Sequence, residues 1–286
     1  MRLSMEIKNY AVIGHPLGHT LSPYIHKRLF EISNINAAYD VIDVPDDCLE
    51  EFYNERLRFL NGFNVTIPHK QNVIKYLDTL DGKALMYGSV NTVLNKDGKS
   101  LGYTTDPAGF LSALNTAGIK LENNVVILGC GGVSRIMAYE ALWKNCRLTL
   151  AVRKEDIQTG EILCAELKSN ISGPAVSLCL MDDLHQDIDL LVNGTPVGMF
   201  PKTDAQPVND SIISRSASVF DAVYNPVETV LVKKAKANGS RAASGIDMLV
   251  YQAAESQKIW NKTDFSDQDI TAVLQETRNK LISGQW

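Results

Sequence analysis

The sequence predicts an α/β protein in two blocks, and three observations carry that reading. First, the short β-branched run 125–128 (Val-Val-Ile-Leu) leads directly into Gly129-Cys130-Gly131-Gly132 and then into a helix-compatible stretch, 133–144. A brief apolar run flanked by Asn123-Asn124 and glycine reads as a buried parallel strand. Second, alternating strand and helix patterns continue downstream of that turn. Third, roughly 120 residues precede it, enough for a separate domain with its own core.

The upstream elements follow in order. Residues 10–13 read as a strand ending in Gly14-His15-Pro16-Leu17-Gly18. Ser22-Pro23 reads as an N-cap with proline at the first helical position, opening a helix to about Ser33. Residues 39–44 form a second strand. Asp46 is expected to cap a helix carrying Leu49, Phe52, Tyr53 and Leu57 at helical spacing. Residues 64–67 are strand-like and stop at Pro68, while 90–94 and 99–103 flank Asp97-Gly98 as a hairpin. Strands, helices and a hairpin together predict a mixed sheet.

Asp106-Pro107 repeats the cap-then-proline pattern, and its helix should end at Gly118, bridging into the second block. That block continues through strands near 148–152, 175–178, 188–193 and 218–221. Two helices, 245–260 and 266–282, close the chain. Their pattern does not say which block they join.

The glycine turn has a chemical use. Without side chains the backbone can approach a pyrophosphate, and the following helix offers free N–H groups and positive potential. The third glycine of the dinucleotide fingerprint is replaced by Ser134. An NAD site places an acid about 20 residues beyond the glycines, to hold the ribose 2′-hydroxyl. Here the strand 148–152 ends in Arg153-Lys154. A carboxylate would repel a 2′-phosphate, whereas a guanidinium grips it in bidentate fashion. NADP is therefore favoured; Glu155 and Asp156 follow immediately and keep NAD possible.

Composition excludes several functions. Forty-five per cent hydrophobic residues in 286 suffice for one large or two medium cores. A net charge of −5 argues against a nucleic-acid partner. No apolar stretch reaches bilayer length and the N-terminus lacks a signal-peptide core, so no membrane partner and a cytoplasmic location are expected. Cys48, Cys130, Cys146, Cys164 and Cys179 are scattered without CxxC pairs and read as reduced thiols. His15, His19 and His26 lack accompanying acids or cysteines, so no metal site is expected.

A hydride-transferring enzyme also needs a proton shuttle, a group to steady an alkoxide, and substrate anchors. The segment Asn64-Val65-Thr66-Ile67-Pro68-His69-Lys70 places polar side chains and a lysine at a strand end, where ligands gather in α/β sheets. On spacing alone, Lys70 could equally be a solvated surface lysine, and Asp106 a plain helix cap. Paired, an aspartate would orient the ammonium over a reacting oxygen.

Taken together, these motifs resemble the shikimate dehydrogenase family over essentially the whole chain. The resemblance rests on Gly14-His-Pro-Leu-Gly-His-Thr-Leu-Ser22-Pro23, Asn64-Val-Thr-Ile-Pro-His-Lys70, Ser89-Val-Asn91-Thr92 and Thr105-Asp106. It extends through Gly129-Cys-Gly-Gly-Val-Ser-Arg135, Asp221-Ala-Val-Tyr224-Asn-Pro226 and Gly245-Ile-Asp-Met-Leu-Val-Tyr-Gln252.

The resemblance implies reversible NADPH-dependent reduction of 3-dehydroshikimate to shikimate, within aromatic amino-acid (chorismate) biosynthesis. It implies a substrate-binding and catalytic domain, 1–106 plus 242–286, with the C-terminal helices returning to it. A Rossmann-type NADP-binding domain would span 107–241. Lys70 and Asp106 fall at the catalytic positions. Thr20 and Ser22 fall where hydroxyls hold the substrate carboxylate; Thr66, Asn91 and Gln252 where ring hydroxyls are bonded; Tyr224 at another substrate contact. Gly129, Cys130, Gly131, Gly132 and Val133 match the phosphate loop, and Arg153 the 2′-phosphate grip; Lys154 beside it is a further cofactor-binding candidate. Ala222 and Gly245 match backbone contacts near the nicotinamide. A monomer or homodimer is expected.

The family's usual serine is Thr20 here, its usual asparagine is Val152, Lys154 replaces a common threonine, and Pro107 stands where glycine is frequent. These departures keep open a quinate/shikimate dehydrogenase using NAD or both cofactors. A non-catalytic nucleotide-binding regulator is a further alternative, because fold does not fix function.

Overall fold

A computed structural model of the chain describes residues 7–18 and 20–284. The elements are β1 (Lys8–Gly14), α1 (Ser22–Ile32), β2 (Ala37–Asp43), α2 (Leu49–Glu55), β3 (Gly62–Val65), α3 (His69–Asn72), β4 (Thr79–Leu80), α4 (Gly82–Tyr87), β5 (Thr92–Lys96) and β6 (Lys99–Tyr103). They continue with α5 (Asp106–Thr116), β7 (Asn124–Leu128), α6 (Gly132–Trp143), β8 (Arg147–Val152), α7 (Ile157–Asn170), β9 (Val176–Leu180), β10 (Ile188–Asn193) and α8 (Asp210–Ser214). Last come β11 (Ser216–Asp221), α9 (Val230–Ala237), β12 (Arg241–Ser244), α10 (Gly245–Asn261) and α11 (Asp267–Ile282). The chain divides into two compact units, one up to Asp106 and again from Val250 onward, the other 107–249.

In the first unit the described strands form one mixed sheet in the order β2-β1-β3-β5-β6-β4. β1 lies parallel to β2 and β3, whereas β5 is antiparallel to both β3 and β6. Side chains alternate across the strands, as the pleat requires. Ala11, Ile13, Phe63, Val65 and Val93 pack with Leu49, Tyr53 and Leu57 of the α2 region. On the other face Tyr10 packs with Phe30 of α1 and Trp260 of α10. The Tyr10 and Trp260 rings stack at 4.6 Å, and Trp260 Nε1–H donates to the Val93 carbonyl at 2.8 Å. The end of the chain thus supplies one wall of the first core.

In the second unit all described strands run parallel in the order β12-β11-β10-β7-β8-β9. Read from β9, this is the doubly wound Rossmann order. The winding reverses between β7 and β10, the place where such sheets bind ligands. The strands are buried on both faces, which explains why 125–128 is continuously apolar rather than alternating.

Several expected details differ. Ser22 does not cap α1: the N-cap residue is Leu21, without a side-chain cap bond, and the Ser22 hydroxyl is engaged by Thr20 instead. Asp46 does not cap α2. Residues 46–48 form a 3-10 turn and α2 starts at Leu49. β3 ends at Val65, although Thr66 N–H still donates to Ile13 O at 2.8 Å and His15 N–H to Ile67 O at 3.0 Å.

β4 and β12, two and four residues long, carry too little pattern to be read from sequence. β12 also explains why the second unit continues past residue 241: Arg241 to Ser244 pair with β11. Among the described residues no helix is long and apolar enough to cross a membrane, and no three His, Cys, Asp or Glu cluster for a metal. His19 lies outside the described residues. All five cysteines are free thiols.

Candidate active site

Lys70 sits in α3, the short helix after Pro68, and its backbone is held from two sides. His69 Nε2–H donates to Val44 O at 2.6 Å, and Val90 N–H donates to Lys70 O at 2.8 Å. Its ammonium lies 2.6 Å from Asp106 Oδ2; Asp106 is 1 % exposed and Lys70 17 %. The other carboxylate oxygen of Asp106 accepts from Asn91 Nδ2 at 2.9 Å. The amide oxygen of Asn91 accepts from Thr105 N–H at 2.8 Å and from the Thr92 hydroxyl at 3.0 Å. Those bonds fix which end of the amide faces Asp106. Lys70, Asp106 and Asn91 are therefore brought into one hydrogen-bonded cluster. Lys70 is the most exposed of the three, so its ammonium is the group best placed to meet a reacting oxygen.

Other residues expected from sequence have their own local partners. Thr20 Oγ1–H donates to Ser22 Oγ at 3.1 Å, and Ser22 N–H donates to Thr20 Oγ1 at 3.2 Å, pairing the two hydroxyls at the start of α1. Thr66 stands between β3 and α3, its carbonyl accepting from His69 N–H at 3.0 Å. Gln252, on α10, accepts from the Ser256 hydroxyl through its backbone carbonyl at 2.9 Å. Ser256 in turn meets Thr92 Oγ1 at 3.0 Å and accepts from Asn64 Nδ2 at 3.0 Å. Through Ser256, the helix bearing Gln252 is tied to Thr92 at the start of β5, next to Asn91.

Asn64 was quoted in the sequence motif without a role, and the structure gives it one. Its amide donates to Asn91 O and Thr92 Oγ1, each at 3.1 Å, and its oxygen accepts from Tyr39 OH at 2.7 Å. The period-two strand rule could have found it, since Asn64 shares a face with Thr66 while Phe63 and Val65 face the core.

In the second unit the glycine turn follows β7 at the reversal of winding. Gly129 has φ +90°, and its N–H donates to Ala151 O at 2.8 Å, laying the turn beside the end of β8. Helix α6 has Gly131 as N-cap, with no capping side chain and no acid in its first turn. A Cβ at Gly131 or Gly132 would meet nothing within 4 Å. Uncapped N–H groups facing open space suit a pyrophosphate.

Ser134, in place of a third glycine, is accommodated from the opposite side. A Cβ at Gly194 would run into its hydroxyl, so the small residue that makes room for it is Gly194, just after β10. The Cys130 thiol is pushed up by burial and then by Asp156, which leaves it the neutral thiol of a structural residue.

Arg153 and Lys154 are exposed at the end of β8. Gly245 opens α10, and a Cβ there would collide with the Ala222 carbonyl; its N–H donates to Val223 O at 3.1 Å. Ala222 and Gly245 are thus adjacent backbone. Tyr224 is half-buried in the same segment, and burial raises its phenol.

Asp221, next to Ala222, was not singled out by sequence reasoning. It is fully buried, accepting from Thr229 Oγ1–H at 2.6 Å, Asn193 Nδ2 at 2.9 Å and Val223 N–H at 3.0 Å. Burial pushes its carboxyl up to about 6, opposed by those hydrogen bonds.

Comparison with known proteins places these features in one family. Residues 12–93 match the profile of the shikimate dehydrogenase substrate binding domain. A shikimate dehydrogenase (NADP(+)) of Methanococcus maripaludis is 38% identical over 262 residues, covering 90% of this chain and 93% of that one. A crystal structure of a shikimate dehydrogenase in complex with NADP+ superposes with a TM-score of 0.85 at 33% identity, over 94% of this chain and 95% of that one. A Thermus thermophilus shikimate 5-dehydrogenase in complex with NADP(H) and shikimate gives a TM-score of 0.85 at 28% identity, over 95% and 100%. With the Lys70–Asp106–Asn91 cluster and the glycine turn both in place, the chain belongs to the shikimate dehydrogenase family.

Proposed function

We propose that the chain catalyses the reversible reduction of 3-dehydroshikimate to shikimate with NADPH, a step of aromatic amino-acid biosynthesis through chorismate. The observation that carries this is the buried Asp106 carboxylate, bonded by Lys70 on one oxygen and Asn91 on the other. The first unit is assigned the substrate and the second unit NADP. The protein is assigned to the cytoplasm as a monomer or homodimer.

The residues fit the cofactor. Gly129 to Val133 would hold the pyrophosphate with backbone N–H groups, Arg153 and Lys154 the 2′-phosphate, and Ala222 and Gly245 the nicotinamide end. When bound, the reduced nicotinamide supplies the hydride for the ketone carbon. Thr20 and Ser22 hold the substrate carboxylate with neutral hydroxyl donors. Thr66, Asn91 and Gln252 bond the ring hydroxyls, and Tyr224 gives a further substrate contact. A site built to bond hydroxyls rejects analogues that lack them, because its buried polar groups would be left unpaired.

As the ketone is reduced, negative charge builds on its oxygen. Lys70 Nζ–H is the donor placed to stabilise that charge and to deliver the proton completing the alcohol. Asp106 holds the ammonium in place and accepts a hydrogen bond from the neighbouring substrate hydroxyl. In the oxidative direction the same groups take the proton back.

Lys70→Ala tests the mechanism. Turnover should fall by about 10²- to 10⁴-fold, while NADP affinity measured by titration of the whole protein stays nearly unchanged. Near-normal turnover would refute the assignment. A second reading, a quinate/shikimate enzyme using NAD, is favoured by the methyl group of Thr20 and by the acids beside Arg153. Steady-state kinetics with shikimate and quinate, each with NADP and NAD, separates the two. A higher kcat/KM for quinate with NAD selects the second.

A further inference from the structure

The guanidinium of Arg153 is already engaged by its own chain. Its Nε and NH2 groups each lie 2.8 Å from Asp156 Oδ2, and NH1 lies 3.1 Å from Glu155 Oε1. The Nε–NH2 edge is one of the two edges with which arginine grips an oxyanion in bidentate fashion. Here that edge faces the Asp156 carboxylate. The arrangement is built into the backbone: residues 154–156 form a single 3-10 turn, and Asp156 N–H donates to Arg153 O at 3.0 Å. Both acids are thereby folded back toward the arginine.

The cluster also lies next to the glycine turn within the same unit. Cys130 Sγ is 3.9 Å from Asp156 O, and Gly129 is bonded to Ala151, two residues before the arginine. Any ligand lying on that turn and extending toward the end of β8 meets the cation and both acids at once.

We infer that Glu155 and Asp156 are specificity-determining residues that compete with a ribose 2′-phosphate for Arg153. This rests on the reading of Arg153 as the 2′-phosphate position. To be gripped by the Nε–NH2 edge, a 2′-phosphate must displace the Asp156 carboxylate, and it adds negative charge beside Glu155. A ribose 2′-hydroxyl brings no charge and displaces nothing. The acids therefore weaken NADP without weakening NAD, and the preference between them is narrower than Arg153 alone would set.

Calorimetric titration of the full-length protein with NADP, NAD and adenosine 2′,5′-bisphosphate tests this without reference to turnover. For Asp156→Asn the Kd for NADP and for the bisphosphate should fall by about three- to tenfold, with a smaller fall for Glu155→Gln. The Kd for NAD should stay within about twofold in both variants, because no new charge is placed near the acids. NADP binding that is unchanged or weaker in Asp156→Asn overturns the competition, since the acid would then be idle or would help by orienting the arginine. Arg153→Ala separates the inference from the reading beneath it. Selective loss of NADP and bisphosphate binding upholds the 2′-phosphate position, whereas unchanged binding removes that position and the inference together.

Discussion

Both oxygens of Asp106 are occupied, one by the Lys70 ammonium and the other by the Asn91 amide, and that double occupancy determines what the lysine can do. Breaking a buried pair by removing one partner costs about 3–5 kcal/mol, because the remaining charge stays buried. Lys70 is therefore held at one position rather than sampling solvent. The paired hydroxyls of Thr20 and Ser22 make a second residue-scale claim. A hydrogen bond to a charged group contributes about 1.5–3 kcal/mol, so Ser22→Ala should raise the KM for shikimate roughly 10- to 100-fold. Its kcat should change by less than about threefold, since the carboxylate is remote from the reacting ketone. An unchanged KM in steady-state assays would place the carboxylate elsewhere. Sequence spacing could propose Lys70, but it left Asp106 as readily a helix cap as a partner. The choice depended on a contact across 36 positions of chain.

At the scale of elements, the residues assigned to the site lie at the ends of strands and the first turns of helices, where pattern reading was weakest. Helix α6 lacks a capping side chain, so its N–H groups remain available to a ligand, whereas α11 is closed by a complete Ser266–Asp269 capping box. The end of β11 shows a comparable local rule. Asp221 stands without a cation among Thr229, Asn193 and Val223, and burial pushes its carboxyl from 3.8 up to about 6.

A raised carboxyl pKa means that between these values the folded state binds more protons than the unfolded state. Stability is then lost as pH rises through that window and is level above it. Relative to Asp221→Asn, the wild-type protein should lose about 2 kcal/mol between pH 4 and pH 6 in urea unfolding. A difference that does not change with pH would show that the carboxyl is not perturbed. The sequence motif contained Asp221 without giving it a role, because its partners Asn193 and Thr229 come from other strand and helix ends.

For the molecule as a whole, the first unit is completed by the end of the chain, and a buried histidine marks that dependence. His26 of α1 stacks on Tyr39 at 4.3 Å and accepts from Gln257 Nε2 of α10 at 3.0 Å on Nδ1. Burial pushes its pKa down from 6.5 to about 3, only partly offset by its bond with Asn64. A lowered histidine pKa leaves the unfolded state with more protons below 6.5, so stability falls as pH drops through that window. The difference in unfolding free energy between wild type and His26→Gln should shift against wild type by up to about 1.4 kcal/mol per pH unit from 6.5 toward 4.5. No such shift would mean that the imidazole is charged in the folded protein.

The amino-acid sequence by itself determined the α/β class, the glycine turn after β7, and most strands and helices, because these are encoded in local periodicity and short motifs. Its periodicity could not place α10 and α11, which the family resemblance did, and it could not reveal β4 and β12 or show Asn64 and Asp221 at work. Spacing could not tell Asp106 the partner from Asp106 the cap, and nothing in the sequence showed that Arg153 is held by Glu155 and Asp156. Each of those depends on groups meeting in space. Burial and hydrogen-bond partners are set by which segments pack together, and only the folded chain brings those segments into contact.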